Sequence, residues 1–336
     1  MTLEQLRIFI EVAEREHLTR ASEALHLTPS AVSSAIRTME NRYGATLFNR
    51  IGRRIELTGD GRMFLDEARA TLARARSAER MLSELGGGKR GILAIHASQT
   101  IASYWLPSFL ARFHAAYPLI DMRLTLGNTE SVTEATQEGV ADIGLVEGAV
   151  QAPSLSISKV ASDQLILVAR PDHDWGTGSK LTWDRLFEGK WILREQGSGT
   201  RSVFEDAMRA SGYNPARLHV ALELPSNEAI CSAVRSGDYV TAISELVAAP
   251  HLAAGTLMKA DFALPQRQFL MLQHNDRYRT KALQSFANLL SGGDQRIRRN
   301  SSGCGKQVDA MPFFACHRPM ERRVLKPGKP SGLPTS

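Results

Sequence analysis

The chain has 336 residues, of which 43% are hydrophobic and 23% are charged, proportions that are ordinary for a globular protein. Its formal net charge of +6 is carried by residues 292–336, so the rest of the chain is neutral overall and net charge does not indicate a partner. No apolar run reaches the roughly 18–20 residues that span a bilayer, and the acid-containing start is not typical of a secretory signal. We therefore expect a cytoplasmic protein that does not associate with membranes.

The first 25 residues predict two helices. Thr2 and Gln5 form a capping-box pair for a helix over residues 2–17. Thr19 is placed to cap a short second helix that ends at Leu25, and alanines on its inner face allow a close approach between helices. A short turn then leads into a third helix, so a compact three-helix unit is expected.

The third helix has an unusual outer face. Thr28 is placed to N-cap it, and Pro29 occupies the first helical position, where no N–H is needed. One stripe at helical spacing is apolar: Val32, Ile36, Met39 and Tyr43. The opposite face carries short polar side chains and one cation: Ser30, Ser33, Ser34, Arg37 and Asn41. Short side chains let a backbone approach base edges, and hydroxyls and guanidinium donate to phosphates and guanines, so this face predicts a helix that reads the DNA major groove.

Two extended runs follow, at 47–50 and 54–57, and predict a β-hairpin with a basic tip suited to the minor groove or to phosphates. Thr58 is placed to cap a long helix over about 60–85. Apolar residues recur in that helix at close to 3.5 residues, which is typical of a self-pairing seam. They are Phe64, Ala68, Leu72, Ala75, Leu82 and Leu85.

From residue 91 short apolar runs alternate with helical patterns, which predicts parallel sheets with crossover helices. The helical patterns lie at 102–117, 129–138, 200–212, 226–236 and 277–291. From residue 292 onward Gly, Ser, Pro and Arg dominate, and a disordered basic tail over 292–336 is expected.

Small polar residues stand at several strand ends, where parallel sheets bind ligands. The candidate ligand-binding residues are Ser98, Gln99, Thr100, Asn128, Thr129, Gly197, Ser198, Gly199, Thr200, Arg201, Ser226 and Asn227. The glycines of segment 195–202 expose backbone N–H groups at a helix start beside Arg201, which favours an anion. Converging helix N-termini with hydroxyls suit a small carboxylate or oxyanion. Taken singly, these residues can also be ordinary helix caps.

The run LTPSAVSSAIRTMENRYGATLFNRIGRRIELTGDGRMFL resembles the winged helix-turn-helix of LysR-type transcriptional regulators. The resemblance includes the Leu-Phe-x-Arg segment, the arginine-rich wing and the Leu-Thr-x-x-Gly opening of the linker helix. It implies a winged helix-turn-helix domain over 1–59, and a linker and dimerisation helix with its hinge over 60–90. It further implies a two-lobed α/β domain over 91–291, similar to periplasmic binding proteins. One lobe would comprise 91–161 and 265–291, and the other 162–264.

The same resemblance implies a regulator that binds inverted-repeat double-stranded DNA as a homodimer or homotetramer and responds to a small anionic effector. The DNA-binding residues would be Thr28, Pro29, Ser30, Ser33, Ser34, Arg37, Arg50, Arg53 and Arg54. Many relatives carry Gln and Arg at the positions of Pro29 and Ser34, so DNA shape would supply more of the specificity here. The GSGTR stretch is similar to that of regulators of sulfur or carbon-fixation operons.

The alternative is a cytoplasmic small-molecule enzyme or binding protein with a helical N-terminal interaction module. His96 and His114 have no nucleophile or acid at a motif spacing, and the three cysteines, Cys231, Cys304 and Cys316, lack paired zinc spacing. We therefore expect no catalytic residue, no metal and no cofactor.

Overall fold

The computed structural model describes residues 1–51, 54–85, 91–176 and 180–301, without the side chains of 50–51, 54, 80, 83–85 and 293–301. The chain divides into two compact units, Met1–Arg296 and Ile297–Ser336. The first unit contains the N-terminal helices, the long helix that follows them, and a large α/β region.

The N-terminal part has the predicted three helices and hairpin: α1 (Leu3–Arg15), α2 (Leu18–Leu25), α3 (Pro29–Tyr43), β1 (Phe48–Ile51) and β2 (Arg54–Leu57). The capping box of Thr2 and Gln5 at the start of α1 is confirmed. Phe9 of α1 lies at the centre of the core, with ring centroids 5.4 Å from Phe48 and 4.9 Å from Phe64. These contacts fix the hairpin and the following helix onto α1.

The start of α2 differs from the prediction. His17, not Thr19, is the N-cap, and its Nδ1 accepts the backbone N–H of Arg20 at 3.4 Å. Thr19 lies within the first turn, where its carbonyl oxygen accepts the Ser22 hydroxyl at 2.7 Å. The prediction was wrong because an imidazole nitrogen can take the place of a capping hydroxyl.

Helix α3 starts as predicted, with the Thr28 hydroxyl accepting the Ala31 N–H at 3.2 Å and Pro29 at the first position. Three members of its apolar stripe are buried, whereas Tyr43 is 55% exposed. Tyr43 stands in the last turn, beyond the core, and its hydroxyl accepts the N-terminal ammonium of Met1 at 3.2 Å.

The long helix α4 (Gly59–Leu85) is capped by Thr58, whose hydroxyl accepts the Gly61 N–H at 2.9 Å. Its apolar stripe is divided between two environments. Phe64, Ala68 and Leu72 pack against the N-terminal core of the same chain. Leu82 is 68% exposed and remains available to a partner.

The described part of the α/β region holds nine strands: β3 (Gly91–Ser98), β4 (Ile120–Gly127), β5 (Ile143–Glu147), β6 (Leu155–Ala169), β7 (Lys190–Arg194), β8 (His219–Leu224), β9 (Val240–Ser244), β10 (Met258–Lys259) and β11 (Gln266–His274). Its α-helices are α5 (Pro107–Ala116), α6 (Thr129–Glu138), α7 (Trp183–Leu186), α8 (Gly199–Ala210), α9 (Asn227–Ser236), α10 (Glu245–Ala253) and α11 (Lys281–Ser301). A π-helical turn, Ile101–Trp105, precedes α5, and a 3-10 turn, Pro215–Arg217, precedes β8.

The strands follow the order β4-β3-β5-β11-β6-β9-β7-β8, with β10 beside β6. Strands β3–β4, β3–β5, β7–β8 and β7–β9 pair in parallel, as predicted, but β6 and β11 are antiparallel to their neighbours. The expectation of parallel sheets therefore holds for β3–β5 and β7–β9 but not for β6 and β11, two long strands that connect the two halves of the region. One core surrounds Phe269 and Phe286, and another surrounds Trp191 and Phe204, so the region has two lobes.

Two predicted helices differ most in their bounds. The pattern at 102–117 is divided at Pro107, which lacks an N–H, into the π-helical turn and α5. Helix α11 starts at Lys281 and continues to Ser301, ten residues into the predicted tail. Residues 302–336 lie outside the described part, so their disorder stays a prediction. Among the described helices, none has the length and apolarity that a membrane crossing requires.

Candidate functional site

The outer face of α3 is open, as a DNA-reading helix requires. Ser30, Ser34 and Arg37 are exposed and Ser33 is half-buried. The Thr28 hydroxyl lies 3.0 Å from the Ser30 hydroxyl while it caps the helix, so it serves both the helix start and this face. The face of α3 that carries Ser30, Ser34 and Arg37 is therefore a short, mostly uncharged surface on which Arg37 supplies the guanidinium.

The hairpin next to α3 is held by an acidic side chain. Glu40 Oε1 accepts the backbone N–H groups of Leu47 (2.9 Å) and Phe48 (3.2 Å). This contact directs the Glu40 carboxylate to the backbone of the hairpin. Of the predicted basic residues, Arg53 lies outside the described residues, and Arg50 and Arg54 are placed on paired strands by their backbones alone.

The segments predicted to bind an effector converge where the two lobes meet. Asn227 Nδ2 donates to Thr100 Oγ1 (3.2 Å), and the Asn227 backbone N–H donates to Gln99 Oε1 (2.8 Å). At the other side of the cleft, Asn128 Nδ2 donates to the carbonyl oxygen of Gln196 (3.4 Å). The topology thus brings together loops that are about 30 to 130 residues apart in sequence.

A charged cluster that the sequence did not indicate lies at the centre of this cleft. The carboxylate of Glu147 accepts hydrogen bonds from Ser98 and Thr200, and it lies 3.5 Å from Nη1 of Arg267. Arg267 Nη1 also donates to Thr200 Oγ1 (2.8 Å), and its Nε donates to Asp163 (2.7 Å). Glu147 and Arg267 are 1% and 3% exposed, so these charges interact away from bulk water. In the sequence, this cluster could have been found only from an acidic residue at the end of β5 and an arginine in β11.

Ser198 is the candidate whose hydroxyl is free in the described structure. It is the N-cap residue of α8, yet its side chain does not cap the helix. Its Oγ is buried and has no hydrogen-bond partner among the described residues. An unsatisfied buried hydroxyl is costly, and a ligand oxygen at this helix N-terminus would satisfy it.

Two other candidates do act as helix caps. Asn128 Oδ1 accepts the Ser131 N–H (3.0 Å) at the start of α6, and Ser226 Oγ accepts the Ala229 N–H (3.2 Å) at the start of α9. The capping alternative is therefore correct for these two side chains, although Asn128 Nδ2 still reaches across the cleft.

The glycines of segment 195–202 let the lobes approach each other closely. A Cβ added at Gly199 would overlap the carbonyl oxygen of Glu147, which also accepts the Thr129 hydroxyl at 2.7 Å. Gly197 adopts a left-handed φ of +81° and its carbonyl oxygen accepts the Glu130 N–H at 3.2 Å. These two positions therefore control how far the cleft closes.

Arg201 does not join the central cluster. Its guanidinium pairs with Glu205 (2.7 Å) and with Glu223, and it donates to the carbonyl oxygen of Arg194 (3.0 Å). Two carboxylates neutralise Arg201 in this arrangement, so its predicted contact with a ligand stays a prediction and requires one of these pairs to open. Arg267 is the cation that lies beside Thr200.

A second set of hydrogen bonds joins the lobes at α9. Glu228 accepts from Gln99 Nε2 (2.8 Å), from the Tyr104 hydroxyl (3.0 Å) and from the Ser226 hydroxyl (2.9 Å). Burial, and then the hydrogen bond and charge of Glu228, raise the pKa of Tyr104 above its ordinary value, so the phenol stays protonated and donates. Gln99, predicted as a ligand residue, thus holds the first turn of α9 here.

Two other chemical features give no alternative site. Cys231 is buried, and burial raises the pKa of its thiol to about 11, so the reactive thiolate is disfavoured. His173, Asp174 and Asp238 lie close enough to share an ion. However, Arg170 and Lys190 each approach Asp238 to 3.9 Å, and their charges disfavour a divalent cation there.

Comparison with known proteins agrees with this architecture. Residues 3–62 match the family described as "Bacterial regulatory helix-turn-helix protein, lysR family". Residues 86–294 match the family described as "LysR substrate binding domain". The two matches include α3 and all the segments that converge at the cleft.

Two relatives cover most of the chain. The uncharacterized HTH-type transcriptional regulator YeiE of Escherichia coli is 33% identical over 288 residues, which are 85% of this chain and 96% of that protein. A probable RuBisCO transcriptional regulator of Cyanidioschyzon merolae is 30% identical over 290 residues, again 85% and 96%. The second relative confirms the resemblance to carbon-fixation regulators.

Solved structures share the fold. CbnR, a LysR family transcriptional regulator, aligns with a TM-score of 0.62 at 20% identity, over 88% of this chain and 99% of that chain. The regulatory domain of Synechocystis CcmR in complex with 2-PG aligns with a TM-score of 0.57 at 24% identity, over 62% and 99%. The chain is therefore a member of the LysR family of transcriptional regulators, with an N-terminal helix-turn-helix and a C-terminal two-lobed effector-binding domain.

Proposed function

We propose that this regulator binds double-stranded DNA sequence-specifically in the cytoplasm, as a homodimer or homotetramer, on inverted-repeat operators. Its occupancy of the operator is controlled by a small anionic metabolite bound between the two lobes, and it catalyses no reaction. In this proposal residues 1–59 bind DNA, 60–90 link and dimerise, and 91–291 bind the effector, with lobes of 91–161 plus 265–291 and of 162–264.

The observation that carries the effector proposal is the unsatisfied Ser198 hydroxyl at the N-terminus of α8. An acidic group at this position would accept from Ser198 and from the first backbone N–H groups of the helix, whose dipole favours negative charge. Thr200 is buried two residues along, and the guanidinium of Arg267, which pairs with Asp163 and Glu147, lies beside it. The CcmR regulatory domain, which has a similar fold, was solved in complex with 2-PG, so 2-PG is one candidate ligand to test.

Glu147 adds a requirement on the ligand. Its carboxylate is 1% exposed and stands among the same hydroxyls, so a ligand that fills the cleft with negative charge alone would be repelled. We expect a molecule with an acidic group toward α8 and a hydrogen-bond donor, such as a hydroxyl or an amine, toward Glu147.

Self-association is supported by exposed apolar surface in three places. Leu82 is exposed on α4, and the two edge strands of the large sheet, β4 and β8, expose Leu126, Val220 and Leu222. Unpaired edges with apolar side chains are normally covered by a partner. A two-fold assembly would place two copies of α3 on two half-sites of an inverted repeat.

The DNA proposal is tested by selecting duplexes from a random library with the full chain. We expect an enriched inverted motif, with half-sites about one or more helical turns apart. Enrichment of unrelated duplexes, or affinity that is equal on the selected and random duplexes, would show that the chain does not read sequence.

The effector proposal is tested by thermal shift and by affinity for the selected duplex, with 2-PG, sulfate and small hydroxy- and amino-acids as probes. Ser198→Ala should abolish the response, whereas Ser232→Ala, an exposed serine on α9, should preserve it. Stabilisation by cationic or wholly apolar compounds alone, or a normal response of the Ser198→Ala protein, would contradict the anion site.

A further inference from the structure

One arginine of the linker helix joins the DNA-binding part to the effector domain. Arg69 of α4 places Nη2 2.9 Å from a carboxylate oxygen of Glu14 on α1, and Nη1 2.7 Å from one of Glu138 on α6. The side chains of Arg69 and Glu138 are 26% and 28% exposed, so this pair is partly shielded from solvent and salt. A single guanidinium therefore contacts both functional parts of the molecule.

Helix α6 connects this arginine to the cleft. Its N-terminal end carries Asn128 and Thr129, which contact segment 195–202 and the end of β5. Its C-terminal end carries Glu138. With ten residues the helix is about 15 Å long and rigid, so a shift at one end is carried to the other.

A second contact holds the same surfaces together. Arg74 of α4 donates to the carbonyl oxygen of Asp276 (2.7 Å), and the neighbouring Arg277 donates to the carbonyl oxygen of Gln137 in the last turn of α6 (2.9 Å). The linker helix is thus attached to α6 both directly and through the loop after β11.

The charges around Arg69 make the contact sensitive to position. Burial raises the pKa of the Glu138 carboxyl, Arg69 lowers it, and the nearby Glu14 raises it again, with a net pKa above the ordinary value. The carboxylates of Glu14 and Glu138 share the guanidinium of Arg69, so movement of α6 away from α4 weakens the pair with Glu138. Arg69 then pairs with Glu14 alone. Movement of the cleft end of α6 therefore changes how the linker helix is tied to α1.

We propose that Arg69 is a positioning residue that transmits the closure of the effector cleft to the DNA-binding domain through α6. This inference rests on the proposed control of DNA binding by the cleft. It assigns a role to a residue outside α3, the hairpin and the cleft, and it predicts that loss of Arg69 uncouples the two sites without abolishing either activity.

The test is a double-mutant cycle in the full chain, read as affinity for the selected duplex. Gly199→Ala forces the cleft apart, because its Cβ would overlap the Glu147 carbonyl oxygen. In the wild-type background we expect this change to shift the dissociation constant about fivefold or more, the range of ordinary allosteric coupling. In the Arg69→Gln background the same change should shift it less than about twofold.

Matched controls separate the relay from general destabilisation. Arg76→Gln, on the same helix and exposed, should leave the full response to Gly199→Ala. Exchange of charge in Arg69→Glu with Glu138→Arg should recover part of the response that Arg69→Glu alone removes. Asn128→Ala, which removes the bonds to Glu195 and Gln196, serves as a second cleft variant if Gly199→Ala does not fold.

The outcomes are distinguishable. An equal response to the cleft variants with and without Arg69 would overturn the relay while leaving cleft control intact. No response in the wild-type background would mean that the cleft does not control DNA binding, and the proposed function and the relay would both fail. Hydrogen exchange of the last turn of α1 should rise in Arg69→Gln, because the pair with Glu14 is lost.

Discussion

Arg37 is the side chain of α3 that we expect to contribute most to the recognition of DNA bases. It is exposed on the face that carries Ser30 and Ser34, and it is the guanidinium of that face. A guanidinium can bond two acceptors of one guanine, whereas a serine hydroxyl reads bases less selectively. We therefore assign the largest single share of direct base reading to Arg37.

Arg37→Ala is expected to weaken binding to the selected duplex by about 1–3 kcal/mol, with a smaller loss on random DNA. Fluorescence anisotropy at fixed salt measures both affinities. Arg112→Ala, an exposed arginine on α5, should change neither. An equal loss on both duplexes would make Arg37 a phosphate contact.

The cleft residues show why the identity of a charged residue does not reveal its role. Arg201 lies next to the glycines of the cleft segment in sequence but pairs with Glu205 and Glu223. Arg267, distant in sequence, lies beside Thr200 and Glu147. Both guanidinium groups pair with two carboxylates, and the packing of distant elements decides that Arg267 is the one in the central cluster.

At the scale of elements, α4 performs two tasks along its length. Its first half completes the N-terminal core, and Leu82 near its end is exposed. Leu72→Glu would therefore damage the fold of the DNA-binding domain rather than only the dimer. The position that tests self-association is Leu82.

Leu82→Glu should shift the assembly toward monomers and reduce affinity for a two-half-site duplex, because burying a carboxylate in an apolar seam is costly. Sedimentation velocity measures the first effect. Glu79→Gln, exposed one turn earlier, is the control. An unchanged sedimentation coefficient for Leu82→Glu would place the self-association surface elsewhere.

The cap of α2 gives a second prediction at this scale. The bond from the Arg20 N–H to His17 Nδ1 is long, at 3.4 Å, and serine is a stronger N-cap than histidine. His17→Ser should raise the free energy of unfolding of the N-terminal domain by about 0.5–1 kcal/mol, and His17→Ala should not. Urea denaturation followed by circular dichroism distinguishes the two. A stabilising His17→Ala would show that the imidazole makes no useful cap.

At the scale of the whole molecule, the lobes are held together by ionised acids. Burial opposes ionisation of Glu195, but the hydrogen bonds and charge of Arg194 outweigh it, and its pKa lies below the ordinary 4.5. Burial also opposes ionisation of Glu228, and its backbone and side-chain hydrogen bonds, including those from Ser226 and Tyr104, lower its pKa. Both carboxylates bond across the cleft, so both favour the closed arrangement when they are charged.

A carboxyl group whose pKa is lower in the folded than in the unfolded protein stabilises the folded state at pH values above its unfolded pKa. This stabilisation is lost as the pH falls through the pKa of the folded state. We therefore expect the closed arrangement of the two lobes to be equally stable between pH 7 and about 5, and to become less stable below pH 4.5. Hydrogen exchange of the first turn of α9, measured at several pH values, reports this loss of stability. Glu228→Gln should flatten this dependence, and Glu245→Gln, paired instead with Lys259, should not. A dependence that survives Glu228→Gln would assign the loss to other acids.

The sequence by itself determined the local features: the capping box of α1, the start of α3, the bounds of α6 and α9, and the family to which the chain belongs. The caps and bounds follow from spacing within a few residues, whereas the family followed from the resemblance of the helix-turn-helix segment. Only the tertiary structure decided which strands are antiparallel, that Phe64, Ala68 and Leu72 pack inside one chain, and that Glu147 and Arg267 occupy the cleft. The reason is physical, since the partners of a charged or apolar side chain lie on elements distant in sequence, and burial and pairing exist only once those elements pack.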